Sequence, residues 1–448
     1  MHNIKISLWG ILALLTALWL AVDPSVFRAS TFFAVRGAMV QYSGLLGMAC
    51  MSVAMILALR PRWAERWFDG LDKMYRLHKW LGIGALVISI THWLWAKGPK
   101  WAVGWGWLER PQRGPRQPPD NVIEQLLSGQ RRLAEDVGEW AFYAAIALIV
   151  LALITRFPYR LFFKTHRLLA VAYLVLVFHA VVLIKFAYWT TPIGLVMAPL
   201  LAGGTWAAIV VLLRRVGAGR KVRGTITALP HHPHARTLEA QVAVPHGWPG
   251  HRAGQFAFGM SDPAEGAHPY TIASAWDGAA PRLTFMIKEL GDHTTALPHK
   301  LRIGQSVTIE GPYGCFTFDD GLPQQIWVAG GIGITPFLAR LEELAAMDEG
   351  RRPTTRAHLF YCTAEEENGI IARLRTLAQA AGVELHVLVS PRDGLLTGER
   401  IRALVPQWRD AGLWFCGPAG FGQALRRDFA AQGMKVSKRF HQELFAMR

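Results

Sequence analysis

Charge is scarce in this sequence: only 18% of its 448 residues are Asp, Glu, Lys or Arg. Hydrophobic residues make up 52% and the mean hydropathy is +0.21, a composition that excludes an ordinary soluble enzyme and requires part of the chain to sit in lipid. Cysteine is equally sparse. Cys50 lies in an apolar run, and Cys315, Cys362 and Cys416 are scattered without CxxC spacing. Neither a disulfide framework nor a zinc site is indicated, and the soluble part reads as residing in a reducing compartment. Acidic residues are outnumbered, 32 against 48 basic, for a net charge of +16. No basic helix interleaved with base-stacking aromatics accompanies that charge, so nucleic acid is not the partner and the charge is read as membrane topology. There is no internal repeat and no EF-hand or other regulatory module.

What is present is a series of long apolar stretches, near residues 4 to 22, 32 to 58, 77 to 96, 139 to 155, 166 to 187 and 192 to 213. Each is long enough for a helix to cross the ~30 Å hydrocarbon core at roughly 20 residues per span. The first has no clear small-residue cleavage site and is expected to be kept rather than removed as a signal peptide. Six crossings put both termini on one side. Arg60, Arg62, Arg66, Lys73 and Arg76 fill one connection, Arg156, Arg160, Lys164 and Arg167 the next on that side, and Arg214, Arg215, Arg220, Lys221 and Arg223 follow the last span. The positive-inside rule makes these ends cytoplasmic, which predicts a multi-pass protein of the cell membrane with both termini and the soluble region in the cytoplasm. The opposite connection, Lys97 to Glu139, mixes Arg with Glu and Asp, and its Pro/Arg-rich stretch Glu109 to Asp120 reads as an exposed loop. After Val216 short alternating strand patterns begin, and from about residue 325 strand and helix signals alternate. The expected organisation is a six-helix membrane domain (1–215), a small antiparallel β-barrel (216–319) and a parallel α/β domain (320–448).

The third span holds His78 and His92, 14 residues apart, and the fifth holds His166 and His179, 13 apart. Ionisable groups in a bilayer are costly and point to function. At 1.5 Å per residue each pair is separated by about 20 Å, so one member lies near each face and His78 matches His166 in height as His92 matches His179. An imidazole from each of two facing helices is what a b-type haem needs on its two axial positions, and two levels hold two haems. The plainer reading is four separate hydrogen bonds between helices. A 13-residue spacing falls short of whole turns, so the fifth helix must be locally distorted, by a π-bulge for instance, or approach the two levels from different angles.

The strings LDKMYRLHKWLGIGALVISITH and KTHRLLAVAYLVLVFH resemble the ferric reductase-like transmembrane domain shared by NADPH oxidases and ferric reductases. That family spaces its haem-ligating histidines in the same way, and the resemblance implies iron ligation by His78, His92, His166 and His179. Arg36, the lone charge in the second span, is open to two readings: an Arg anchored at the interface, or, as the resemblance implies, one beside the outer haem that pairs with a propionate or draws in a small acceptor. Trp93, Trp95, Trp101, Trp105 and Trp107 form an interfacial belt or wall the outer haem site.

Downstream, AGQFAFG precedes HPYTIASA, and MIKELGDHTTAL follows. These resemble the two flavin-binding segments of the ferredoxin-NADP reductase-like family. The resemblance implies FAD held by His268, Pro269, Tyr270, Thr271 and Ser274, with its pyrophosphate at Lys288, Gly291, Thr294 and Thr295. WVAGGIGITPF is a buried strand that turns through glycines into a helix, where backbone N–H groups can meet a pyrophosphate. Gly330, Gly331, Gly333, Thr335 and Pro336 are the expected NAD(P)H-binding residues there, joined by Cys416, Gly417 and Pro418 of FCGP, whose Cys the family places near the reacting nicotinamide carbon. In the terminal FHQELFAMR, Phe445 is the candidate flavin cover and Phe440 the second, with Glu443 on the nicotinamide side. HHPH, His231 to His234, reads as a hairpin turn rather than a metal site. Glu365, Glu366 and Glu367 stand where a 2′-phosphate would need a basic clamp, which leans towards NADH and leaves coenzyme choice open.

The resemblance implies a transmembrane oxidoreductase that passes electrons from cytosolic NAD(P)H through FAD and two b-type haems to ferric iron or to dioxygen, giving superoxide. A membrane relay that hands electrons to a quinone or an extracytoplasmic protein is the alternative. No protein partner is indicated.

Overall fold

The structure, a computed structural model, describes residues 2–109, 121–154, 156–244 and 247–443. The chain divides into two compact units, one ending at Val216 and the other beginning at Gly217.

The first unit is helical: α1 (His2–Val22), α2 (Phe32–Ala58), α3 (Arg62–Phe68), α4 (Leu71–Gly104), α5 (Val122–Gly129), α6 (Arg131–Leu153), α7 (Tyr159–His166), α8 (Leu168–Leu183) and α9 (Pro192–Leu212). Five segments are long and apolar enough to cross a membrane: Asn3–Val22, Phe32–Ala58, Arg131–Leu153, Leu161–Leu183 and Pro192–Leu212. The expected crossing at 77–96 lies within the 34-residue α4, where lysines and histidines dilute the apolar run; by composition it does not join the other five. The expected long loop between Lys97 and Glu139 is largely helical where it is described, with α4 continuing to Gly104 and α5 and α6 covering 122–129 and 131–153. Most of the proline-rich stretch lies outside the described residues.

α2 packs against α4 and α9, and α6 against α8. Helices in lipid gain little from hydrophobic burial against one another, so close contact relies on small residues and interhelical hydrogen bonds. Gly204 of α9 is one such position: a Cβ there would lie 2.0 Å from the Tyr173 hydroxyl oxygen, which is 2.8 Å from Ser52 Oγ in α2. At one end of the bundle the buried Asp23 carboxylate accepts hydrogen bonds from Lys185 and Tyr188. The expected distortion of the fifth span falls at Arg167, where α7 stops and α8 begins, and it is a break with an i→i+3 bond from Ala170 N–H to the Arg167 carbonyl (3.0 Å) rather than a π-bulge.

The second unit opens with β1 (Lys221–Ala228), β2 (His231–His232), β3 (Thr237–Ala243), β4 (Phe256–Met260), β5 (His268–Thr271), β6 (Arg282–Lys288), α10 (Asp292–Lys300) and β7 (Ser306–Tyr313). These strands form an antiparallel sheet in the order β2-β3-β1-β7-β4-β5, with β6 on β3. Beyond β5, Ile272 bridges to Phe285 of β6 and Ala273 N–H donates to the Thr284 carbonyl (2.7 Å), so the sheet curls back on itself around Ile226, Leu238, Leu283, Phe285 and Ile309. HHPH lies at the β2–β3 hairpin, and His231 is engaged by Glu289 at 3.0 Å.

β8 (Gln324–Gly330), α11 (Thr335–Ala345), β9 (Arg356–Thr363), α12 (Asn368–Ala381), β10 (Glu384–Val389), α13 (Ser390–Asp393), α14 (Gly398–Leu404), β11 (Gly412–Cys416), α15 (Ala419–Ala431), α16 (Val436–Arg439) and β12 (Phe440–Gln442) complete the unit. Their strands form a parallel sheet in the order β10-β9-β8-β11-β12. Both faces are covered, so β8 is apolar on each: Trp327 and Ala329 enter one core and Ile326 and Val328 the other. The chain leaves β8 outward through β9 to β10, then returns to β11 on the other side, which puts the reversal of strand order between β8 and β11. Arg373 ties the two sheets together, bonding Glu239 of β3 (3.1 Å) and Glu342 of α11 (2.7 Å), while Glu342 also accepts from Ala275 N–H (3.1 Å).

Candidate functional site

The four membrane histidines come together as two pairs. His78 and His166 have ring centroids 5.9 Å apart at an interplanar angle of 65°, and His92 and His179 are 6.3 Å apart at 81°. Three of the rings have fixed tautomers. His78 Nδ1 is 2.9 Å from the Ala54 carbonyl, His92 Nδ1 3.1 Å from that of Val40 and His179 Nδ1 2.8 Å from that of Ala134. A carbonyl only accepts, so each Nδ1 carries the proton and each Nε2 keeps its lone pair. His166 Nδ1 is buried without a hydrogen-bond partner, and its ring stacks on Phe162 at 4.9 Å. An iron bound at about 2 Å by one nitrogen of each ring, with roughly 1 Å more to each ring centre, separates two opposed imidazole centroids by about 6 Å. Both pairs match that span, so the residues present fit a bis-histidine iron at each level.

Two glycines, unmarked in the sequence, let the His92 and His179 rings sit there. A Cβ on Gly138 of α6 would stand 2.0 Å from His179 Nδ1, and one on Gly44 of α2 3.3 Å from His92 Cε1. A helical glycine carries no signal of this use in a single sequence. Arg36 lines the same cavity as His92 and His179, but its bonds are to backbone: Nε donates to the Trp95 carbonyl (3.1 Å) and Nη2 to that of Ala96 (3.0 Å). Pro99 explains the first, since it has no N–H to offer the carbonyl four residues back. A cavity of about 410 Å³ surrounds His92 and His179 and is lined by Arg36, Trp93, Lys97, Lys100, Arg131 and Glu139 among others. Of the tryptophan cluster, Trp93 faces this cavity, whereas Trp101, Trp105 and Trp107 are exposed.

In the second unit the Ile272–Phe285 bridge sets the HPYT strand beside the MIK strand. Antiparallel pairing carries His268 towards the start of α10, where its ring stacks on His293 at 3.9 Å and Tyr270 Oη meets His293 Nε2 at 3.2 Å. Pro269 lies between them on β5, and Thr271 and Ser274 are buried. Ser274 Oγ accepts from Thr284 N–H (3.1 Å), and Thr294 Oγ accepts from the N–H groups of Leu290 (3.0 Å) and Gly291 (3.1 Å). Two hydroxyls expected to face FAD thus also hold their own backbone, and α10 begins behind Gly291 with Thr295 in its first turn. Lys288 is paired with Glu365 at 2.6 Å, so one of the three glutamates expected to repel a 2′-phosphate is neutralised by the lysine expected at the flavin pyrophosphate. Glu366 is paired with Arg392 at 3.1 Å.

The glycine turn after β8 meets the FCGP turn after β11 at the reversal of strand order, where ligands of open α/β sheets bind. A Cβ on Gly333 would stand 2.1 Å from the Cys416 carbonyl oxygen, one on Gly330 2.8 Å from Pro418 Cδ, and one on Gly417 3.0 Å from Gly330 Cα. Gly331 adopts φ +54°, and Thr335 and Pro336 begin α11. Cys416 is buried, and that burial, with the Glu443 carboxylate nearby, raises its thiol well above the usual range; it stays protonated and is no nucleophile. Phe440 is buried in the apolar core with Phe415, which removes it as a flavin cover. Phe445 lies outside the described residues.

Residues 43–177 match the family model described as the ferric reductase like transmembrane component. That part of the helical unit is thus similar to a ferric reductase-like transmembrane component. The chain is 31% identical over 153 residues to a vanillate O-demethylase oxidoreductase of a Pseudomonas species, covering 34% of this chain and 45% of the relative. It is 26% identical over 186 residues to a flavohemoprotein of Pseudomonas putida, covering 39% and 45%. The chain spans about half the length of these curated relatives. Among solved structures, the flavohem-like FAD/NAD binding domain of nitric oxide dioxygenase from Vibrio cholerae aligns with a TM-score of 0.42 at 18% identity, over 50% of this chain and 97% of that one.

Two outcomes follow from this geometry. Gly333→Ala forces the Cys416 turn aside and costs about 1–3 kcal/mol, whereas Gly291→Ala, with nothing within 4 Å of the added carbon, costs less than about 1 kcal/mol; denaturant unfolding of the two variants measures the difference. Burial, reinforced by His293, pulls His268 down to about 4. The unfolded imidazole titrates near about 6.5 and takes its proton first, so this contribution to stability is full above that pH and fades as pH falls towards 4. Melting temperatures of His268→Gln therefore decline less than those of the wild type between pH 7 and pH 4.5.

Proposed function

We propose that this protein is an NAD(P)H-dependent transmembrane oxidoreductase, which carries electrons from cytosolic NAD(P)H through FAD and two b-type haems to an extracytoplasmic acceptor, ferric iron or dioxygen. The observation that carries this reading is the pairing of four imidazoles at two levels, each pair spaced for one iron. When bound, FAD accepts hydride and releases single electrons, and haem iron relays them. His78 and His166 hold the inner iron and His92 and His179 the outer one. The backbone carbonyls of Ala54, Val40 and Ala134 hold three of those rings in the tautomer that presents Nε2.

In the soluble region, His268 to Thr271, Ser274 and the start of α10 line the flavin site of a closed β-barrel spanning 216–319. Gly330 to Pro336 and Cys416 to Pro418 hold the nicotinamide nucleotide at the strand reversal of the 320–448 domain, with Glu443 beside the nicotinamide. The membrane domain spans six times, α4 supplying the third crossing, with the basic connections in the cytoplasm. With the cytoplasm negative, each electron moved outward is favoured by about 2.3 kcal/mol per 100 mV. The cavity beside the outer pair, with Arg36, Lys97 and Lys100 in its wall, is where the acceptor meets the chain.

The deciding experiment is a visible spectrum of the purified protein, oxidised and then reduced with NADH or NADPH under nitrogen. Low-spin b-type bands that reduce with the coenzyme are expected, and His92→Ala and Gly138→Ala should each lose about half of the haem. Iron reduction that persists without oxygen selects the ferric acceptor, and superoxide formation abolished by superoxide dismutase selects dioxygen. A flavin spectrum with no haem would overturn the reading and leave a membrane-anchored flavin reductase.

A further inference from the structure

One cluster of ligating side chains lies apart from the sites above, at the outer edge of the parallel sheet. β10 is the edge strand, and its Glu384 and His386, two residues apart, point to the same face. Parallel pairing places Glu384 in register with His358 of β9, so three residues from two strands meet. His358 Nδ1 is 3.3 Å from Glu384 Oε2, and His386 Nε2 is 3.3 Å from Glu384 Oε1. One donor atom from each of the three lies within 4.8 Å of the others. The two rings are parallel to within 7°, and His386 is held by stacking on Phe360 at 4.5 Å.

Both facing nitrogens, His358 Nδ1 and His386 Nε2, are buried and make no hydrogen bond. Facing a carboxylate without a well-directed hydrogen bond is a weak arrangement for two buried nitrogens, and an ion held between them and Glu384 engages all three. Ligands about 2.0–2.2 Å from a tetrahedral zinc stand roughly 3.4 Å from one another, close to the 3.3 Å between each histidine nitrogen and its own Glu384 oxygen, Oε2 for His358 and Oε1 for His386. Two imidazoles and a carboxylate suit zinc and its neighbours, whereas calcium and magnesium call for oxygen donors. The Glu384 side chain is 61% exposed, which leaves a fourth position open to water.

We infer that His358, Glu384 and His386 bind one divalent transition-metal ion of the zinc class. The site sits near the start of β9, five residues before the end that faces the coenzyme, or about 17 Å along the strand. It is therefore a clip that fastens the edge strand to its neighbour, and it stabilises the folded unit by mass action. Zinc has no redox chemistry, so it does this without competing for electrons.

The test uses the full-length, detergent-purified protein, stripped with a chelator, reloaded with zinc sulfate and passed through gel filtration before zinc is counted by mass spectrometry. Wild type should hold about one zinc per chain more than His386→Gln, and competition with a chelator should show affinity reduced at least roughly 10-fold in Glu384→Gln and 100-fold in His386→Gln. Zinc bound elsewhere, at His231 to His234 for example, is common to all three proteins and cancels. X-ray absorption of the wild type should show nitrogen and oxygen neighbours with imidazole outer shells. Far-UV circular dichroism checks folding, and Glu384→Gln alters a mostly exposed side chain. Equal zinc content and affinity in the three folded proteins, or a sulfur shell around the wild-type ion, would overturn the assignment.

Discussion

An imidazole inside a membrane must stay neutral and must place its remaining proton on an acceptor, because hydrocarbon offers neither water nor counter-charge. Three of the four membrane histidines meet this demand with a carbonyl of a packed neighbour helix. Much else in the first unit follows from it. α2 must run close along α4 to bring the Val40 and Ala54 carbonyls within reach, and α6 close along α8 to bring Ala134. Close approach in turn needs Gly44 and Gly138 where the rings arrive. The hydrogen bond that makes the imidazole tolerable in lipid also fixes which nitrogen keeps its lone pair.

The second unit shows the same economy at a different site. The glycine turn after β8 and the FCGP turn after β11 touch backbone to backbone, so these glycines are required by the crossing of two strand ends alone. Arg373 spans from the curled sheet to the helix that follows the glycine turn, with both of its partners carboxylates. A shift between the two sheets would strand a partly buried charge, so the network holds the curled sheet and the helix after the glycine turn in fixed relation.

How much of this is legible in the sequence depends on the range of the interaction. Four histidines on two apolar segments declare their pairing because helix rise converts residue number into height. The 13-residue spacing even announces a distortion, although only the structure locates it after His166, as a break. The start of the parallel sheet near residue 325 is legible for the same local reason. What resists reading is whatever depends on register between distant strands or on one helix meeting another. His358 and Glu384 become neighbours through parallel pairing, and the absence of paired cysteines points away from any zinc site. Lys288 and Glu365 each read as a group for a different ligand, yet they bind one another. Arg36 reads as an interfacial anchor or as a neighbour of the outer haem, and its bond to the Trp95 carbonyl depends on a proline in another helix. Phe440 reads as a terminal aromatic, but it is drawn into the core as part of a last parallel strand.

The spacing of His78 and His92 on one unbroken helix has a consequence for how this segment can change over time. Fourteen residues return to nearly the same face, but one more or one fewer turns the second ring by about 100° and shifts it by about 1.5 Å. Substitutions between the two histidines alter packing by degrees, whereas a single insertion or deletion swings His92 out of line with His179. This stretch of α4 is a measuring rod: its lettering is negotiable and its length is not.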